Sequence, residues 1–345
     1  MKKRVHGGDL AEAMDLYPTA PVPWIDLSTG INPNPWPWTE KVPMAELEAA
    51  AARLPGGQDM EFCRTACAQY LGVEDDHVTL TPGSQAAIEM LPLCVDAGRD
   101  VYIPGPTYSE HGLAWHKNGH RVHHIPYDWD IMTFLPEGSV LVLTHPNNPD
   151  GRKFDPEKLY LLCLAHIERG GTVIIDEAFA DIEPGLSLLN FPLREGLVVL
   201  RSAGKFSGLA GLRLGAVVAT GSLKENITAK CPLWEISTLT LRVFGHFYRD
   251  HEWIAGTREA LAGEMDRLAA LLSTSGFRVV GSTLLYCLVE AEDAAARAEH
   301  LLREGIYVRT FPENSRHLRF GLPGSEAAWK RLEQQLKRKA DDCAG

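Results

Sequence analysis

No apolar stretch of the 345-residue chain approaches the roughly 20 residues that a membrane-spanning helix needs. The start carries Lys2, Lys3 and Arg4, but His6, Gly7, Gly8 and Asp9 follow where a secretory leader would turn apolar, so no signal peptide is expected. Cysteine is sparse and odd in number, seven in all without a C-x-x-C pair, and Cys63 and Cys67 read as core thiols four apart in a helical stretch. That usage points to a reduced, cytoplasmic protein. Basic residues are outnumbered, 34 Lys and Arg against 45 Asp and Glu, for a net charge of −11 without long blocks of one sign. A field of that sign disfavours nucleic acid as a partner, and no helix-turn-helix or basic DNA-reading segment is evident. Internal repeats and low-complexity tracts are also missing. His116 and His120 stand four apart with His123 and His124 nearby, but no acidic or thiolate partner completes a ligand set, so no metal is expected.

What is present is a globular composition, 45% hydrophobic and 23% charged. Seven short β-branched runs, at 78–80, 101–103, 122–125, 140–143, 173–175, 198–200 and 216–219, predict one large sheet. Helical stretches such as 84–94 and 156–169 separate several of them and are long enough to connect parallel neighbours. The expected fold class is α/β, with a seven-stranded, mostly parallel sheet in a large domain at 31–240 and a small α+β domain at 241–345. Long helix formers run from 235 to 272. Short strands are expected at 277–280, 284–290, 306–309 and 317–320, with helices at 293–304 and 325–338. Residues 1–30, with Pro18, Pro21 and Pro23, read as an extended arm that contributes to the active site and small domain.

Chemistry-bearing residues recur where strands end. The segment S-A-G-K-F-S-G-L-A-G-L-R-L-G at 202–215 places Lys205 among small residues, where a desolvated amine near another cation becomes nucleophilic. Ser202 and Arg213 flank it as a hydroxyl donor and a fixed guanidinium, a pair suited to a phosphate dianion. A glycine-rich loop with a solvated lysine is the plainer reading of that segment alone. At T-P-G-S-Q (81–85) a strand ends and a helix begins, so Gly83 and the amides of Ser84 and Gln85 suit phosphate, or Ser84 simply caps the helix. Asp176 ends another strand, where open α/β sheets bind ligands, and can hold a proton on a heteroaromatic nitrogen. Asn148, in H-P-N-N-P-D-G, either donates to a phenolate oxygen or serves a turn. Tyr108 either stacks on a flat ring or packs in the core.

Together these residues describe a phosphate cradle, a stacking ring, a phenolate donor, a pyridinium partner and an imine-forming lysine, which is what pyridoxal 5'-phosphate requires. The chain resembles the PLP-dependent enzymes of fold type I, the aminotransferase class I and II superfamily. The resemblance implies Lys205 as the lysine joined to the cofactor aldehyde, Asp176 as partner of the ring nitrogen, Asn148 on the phenolic oxygen and Tyr108 stacked on the ring. It implies Gly83, Ser84, Gln85, Ser202 and Arg213 around the phosphate, with Ser207 a weaker match. Arg319, in H-L-R-F-G, matches the family arginine that takes the substrate carboxylate. A homodimer with its active site between subunits is implied as well.

Within the superfamily two branches are similar, the histidinol-phosphate aminotransferases and the threonine-phosphate decarboxylases of cobalamin biosynthesis. Phe179 stands in D-E-A-F where the aminotransferases usually carry tyrosine, and Leu54 stands where they usually carry the tyrosine that reaches the phosphate of the other subunit. The arm motifs H-G-G-D-L (6–10) and I-D-L-S-T-G-I-N-P (25–33) resemble the decarboxylases. That resemblance implies a nest of His6, Gly7 and Gly8 around a substrate phosphate, with Gly30 and Asn32 lining the substrate side. The expected reaction is decarboxylation of L-threonine O-3-phosphate to (R)-1-amino-2-propanol O-2-phosphate. The same residues support amino transfer to 2-oxoglutarate, and a non-catalytic PLP-binding protein is the reading from a different class.

Overall fold

All seven β-branched runs form strands in the computed structural model, which describes residues 7–342 and side chains through residue 337. In chain order the strands are β1 (Ile25–Leu27), β2 (Val78–Thr81), β3 (Asp100–Gly105), β4 (Arg121–Pro126), β5 (Val140–Thr144), β6 (Thr172–Asp176), β7 (Leu197–Ser202), β8 (Gly215–Val218), β9 (Arg278–Thr283), β10 (Tyr286–Glu290), β11 (Ile306–Thr310) and β12 (His317–Gly321). Two compact units result. The larger comprises Pro35–Asn148 and Arg152–Ala255; the smaller takes the described residues up to Asn34, Pro149–Gly151 and those from Gly256 onward.

The sheet of the larger unit has the order β2-β8-β7-β6-β5-β3-β4, parallel except that β8 runs against both its neighbours. Every residue of β5 and β6 is buried, as a sheet covered on both faces demands, and this is why these runs show no polar alternation in the sequence. Val142, Ile174 and Leu200 pack with Ile88 and Trp115 from covering helices. Each such side chain contributes about 1.5–3 kcal/mol by leaving water. The helix Pro156–Glu168 links β5 to β6. Asp155 caps it by accepting from the Lys158 amide (2.9 Å), and Leu159, Leu162, Cys163 and His166 form its buried stripe. Because β8 is reversed, the carboxyl ends of β2, β7, β6, β5 and β3 share one rim with the start of β8.

The smaller unit has a five-stranded sheet, β1-β11-β12-β10-β9, in which β1 pairs parallel with β11 and the rest are antiparallel. The arm therefore joins this sheet through Ile25–Leu27. The helix Glu326–Asp342 buries Trp329, Leu332 and Leu336, a spacing that places them on one face.

The division between units differs from the expected limits of 31–240 and 241–345. It falls at 255/256, inside the helix His251–Thr274, because the preceding helix Thr238–Phe247 packs on Gly57–Leu71 and Met44–Ala51 of the larger unit. Residues 31–34 go with the smaller unit, where Pro33 lies so close to Gly324 that a Cβ there would come within 2.8 Å. The helical stretch expected from 235 begins only at Thr238, where Ser237 accepts from the Thr240 amide. No helix among the described residues is long and apolar enough to cross a membrane.

Candidate functional site

A cavity of about 180 Å³ opens at the shared rim of the large sheet, lined by Ser84, Tyr108, Asn148, Asp176, Ser202 and Lys205 among others. Arg213 borders it too, so the residues singled out from separate strand ends meet in one place within the larger unit.

The phosphate end depends on two glycines. Gly83 leaves β2 with φ 83° and ψ 157°, a conformation essentially restricted to glycine, and a Cβ there would stand 2.6 Å from Nη2 of Arg213. Gly215 is paired with Ser202 across β7 and β8, and a Cβ there would stand 2.4 Å from the Ser84 amide nitrogen. The turn at Gly83–Ser84 can thus settle on the sheet only because β8 begins without a side chain. Arg213 itself sits in the left-handed region, φ 55°, and Nη1 donates to the Ala210 carbonyl (3.2 Å). The hydroxyls of Ser84 and Ser202 and this guanidinium form a donor set suited to a dianion.

Asp176 is buried at the end of β6. Its Oδ1 accepts from the Ala178 amide (3.0 Å), and its Oδ2 is 2.8 Å from Nε2 of His111, also buried. The imidazole donates to the carboxylate, which assigns the proton to Nε2. His111 was not among the residues read from the sequence. The available signal was its place three residues after Tyr108, which on the helix Ser109–Lys117 sets the two rings edge to face with centroids 6.1 Å apart. Tyr108 Oη donates to Gln85 Oε1 (3.0 Å), so the Gln85 side chain serves the tyrosine, and only its backbone amide matches the phosphate role expected of it.

Lys205 lies in the short helix Ala203–Phe206, half-buried, with Nζ 5.7 Å from the centre of the Phe179 ring. Ser207, expected near the phosphate, is instead spent inside the loop. It is fully buried, donates to the Ala203 carbonyl (2.6 Å) and accepts from the Leu209 amide (3.2 Å). Leu54 is exposed.

In the smaller unit Arg319 is buried on β12. Its Nη2 donates to the Ser28 carbonyl (3.1 Å), and its guanidinium carbon lies 4.6 Å from the centre of the Tyr286 ring. Burial lowers its pKa to about 10, so it remains a cation at neutral pH. Arg309 of β11 is its cross-strand partner, a second cation that the sequence reading passed over. Like charges directly opposite are unfavourable in a sheet, and an anion relieves them. His6 lies outside the described residues. The Gly8 amide donates to Ser28 Oγ (2.8 Å), so it is committed within this unit rather than open for the expected phosphate nest. Gly7 packs against the Ser28 carbonyl, where a Cβ would come within 2.3 Å. Gly30 and Asn32 are buried after β1, and Asn32 Oδ1 accepts from the Asn34 amide (2.9 Å).

The larger unit's donor set fits pyridoxal 5'-phosphate: hydroxyls and a guanidinium for the phosphate, a buried oriented carboxylate for the ring nitrogen, and an amine on the same cavity for the aldehyde. A model of the family described as aminotransferase class I and II matches residues 22–335. Threonine-phosphate decarboxylase of Pseudomonas aeruginosa is 38% identical over 331 residues, covering 96% of this chain and 96% of that protein. Threonine-phosphate decarboxylase of a Sinorhizobium species is 36% identical over 338 residues, covering 97% of this chain and 98% of that one. Histidinol-phosphate aminotransferase from Sinorhizobium meliloti, solved in complex with pyridoxal-5'-phosphate, shares the fold with a TM-score of 0.82 at 16% identity, over 99% of this chain and 96% of that chain.

Proposed function

From the premise that the chain belongs to the aminotransferase class I and II family and uses pyridoxal 5'-phosphate, we propose that it decarboxylates L-threonine O-3-phosphate to (R)-1-amino-2-propanol O-2-phosphate, a step of cobalamin biosynthesis. Full-length similarity to the Pseudomonas aeruginosa decarboxylase is the observation that carries this reading over transamination. Phe179 beside Lys205, in place of a hydroxyl-bearing tyrosine, agrees with it.

When bound, the cofactor supplies an electron sink for the pair released as a bond to the substrate α-carbon breaks. Lys205 Nζ is the group that attaches the aldehyde. Ser84, Ser202 and Arg213 hold the phosphate, Asn148 takes the phenolic oxygen, and Tyr108, fixed by Gln85, covers a ring face. Asp176 would meet the ring nitrogen, and His111 and the Ala178 amide hold that carboxylate in its orientation. Arg319 takes the substrate carboxylate. By holding the substrate carboxylate, Arg319 would favour loss of carbon dioxide over loss of the α-proton. Lys205 Nζ then delivers one proton to the α-carbon, which balances the step. The working form is a homodimer.

The test is direct. The holoenzyme is incubated with L-threonine O-3-phosphate, and separately with histidinol phosphate plus 2-oxoglutarate. Carbon dioxide release from the first without glutamate from the second is expected; the reverse result assigns transamination and refutes the proposal.

A further inference from the structure

Asp176 and Ser202 face the cavity, and strand alternation turns their neighbours, Glu177 and Arg201, the other way. Behind the site these two meet. Arg201 is buried, with Nη1 donating to Glu177 Oε2 (2.7 Å) and Nη2 to Asp181 Oδ1 (2.5 Å). Glu177 also accepts from Ser187 Oγ (2.6 Å) and the Leu188 amide (2.7 Å), and Asp181 accepts from Tyr70 Oη (3.1 Å). Burial alone would lower the Arg201 pKa, but the Asp181 and Glu177 carboxylates hold it above its ordinary value, so the cation persists. One guanidinium is therefore gripped by two carboxylates at the point where β6 and β7 deliver their cofactor-facing residues.

We propose that Arg201 and Glu177 are positioning residues, which tie the end of β7 to the end of β6 and thereby fix the spacing between the Asp176 carboxylate and the segment carrying Ser202 and Lys205. This rests on the cofactor assignment above. Spacing matters because the two ends of one rigid ring must be met together: a shift of β7 along β6 separates the phosphate donors and the lysine from the carboxylate that meets the ring nitrogen. Tyr70 and Ser187 add hydrogen bonds to the two carboxylates, which ties the cluster to further elements, while Nε of Arg201 is left without a partner.

The test compares full-length wild type, Glu177→Gln and Arg201→Lys. Glu177→Gln keeps the shape and can still accept from the Leu188 amide. Arg201→Lys keeps the charge but replaces the rigid planar fork that spans Glu177 and Asp181 with a compact ammonium. Equilibrium binding of pyridoxal 5'-phosphate, the pH midpoint of the bound cofactor's absorbance and the melting temperature are measured for each. Both variants are expected to bind the cofactor about tenfold more weakly, with a displaced absorbance midpoint. If Glu177→Gln does not fold, Arg201→Lys decides alone. Lower melting temperatures with unchanged affinity and midpoint reduce the cluster to a scaffold and overturn the assignment. A wild-type protein that fails to bind the cofactor overturns the cofactor reading instead, which is a separate outcome.

Discussion

Gly83→Ala separates backbone strain from phosphate recognition. At φ 83° and ψ 157° an alanine pays about 1–3 kcal/mol of conformational strain, which falls on the protein whether or not the cofactor is present. The new methyl would also meet Arg213 Nη2 at 2.6 Å and Cζ at 3.0 Å. The guanidinium is the far end of a flexible side chain, so it moves aside rather than unfolding the loop. Its charge-assisted bonds to a phosphate, worth about 1.5–3 kcal/mol, go with it. Thermal stability is therefore expected to fall by the strain alone, while affinity for pyridoxal 5'-phosphate falls about 10- to 100-fold. Equilibrium dialysis against pyridoxal, the same ring without the phosphate, is the control and should show little change. In an Arg213→Gln background the added Gly83→Ala should cost little further affinity, since both remove one interaction. Equal losses for the two ligands, or additive losses in the double variant, would refute this reasoning.

Three further predictions follow the same logic. His111→Phe removes the imidazole donor from the buried Asp176 carboxylate, at about 1–3 kcal/mol, so kcat should drop about tenfold or more; an unchanged kcat would rule out His111 as the orienting group. Arg319→Lys keeps a cation but loses the planar fork, so KM for the anionic substrate should rise about tenfold while cofactor affinity holds; a loss of cofactor affinity would contradict the role assigned. Burial lowers the His145 pKa to about 4 from an ordinary 6.5, so between those values the unfolded chain binds a proton that the folded one does not. The His145 contribution is full above pH 6.5 and should fall by up to about 3 kcal/mol as pH drops to 4, so urea denaturation should find a steeper slope in the wild type than in His145→Gln, where the buried His166 still contributes.

The sheet was legible in the sequence because fully buried parallel strands write themselves as unbroken apolar runs rich in β-branched residues, and 140–143 and 173–175 are the clearest of them. The cofactor end was legible for a related reason: Gly83, Asp176, Ser202 and Lys205 stand immediately after or at such runs, so finding the strands places the residues. His111 escaped notice because it acts through a contact 65 residues away in sequence, with only the three-residue step from Tyr108 to mark it. The family resemblance put Ser207 near the phosphate as a weaker match, yet its hydroxyl bonds the backbone of its own turn, a local pairing that short polar side chains often make. Gly8 misled in the same way, since an amide that suits an anion equally suits the Ser28 hydroxyl. The boundary near 240 was misplaced because helix composition says nothing about which unit a helix packs against.

The reversal of β8 has a consequence for how this protein can vary. Ser202 and Gly215 are direct neighbours, so residues 203–214 leave the rim and return to it as a lasso knotted at its base. Lys205 and Arg213 ride on that lasso together, one near each root. Lengthening it by a residue would rotate one of them out of place while leaving the other untouched, whereas substitutions at its outer bend would leave both roots intact. Lys205 and Arg213 are in this sense held independently, each by its own root, although one loop carries both.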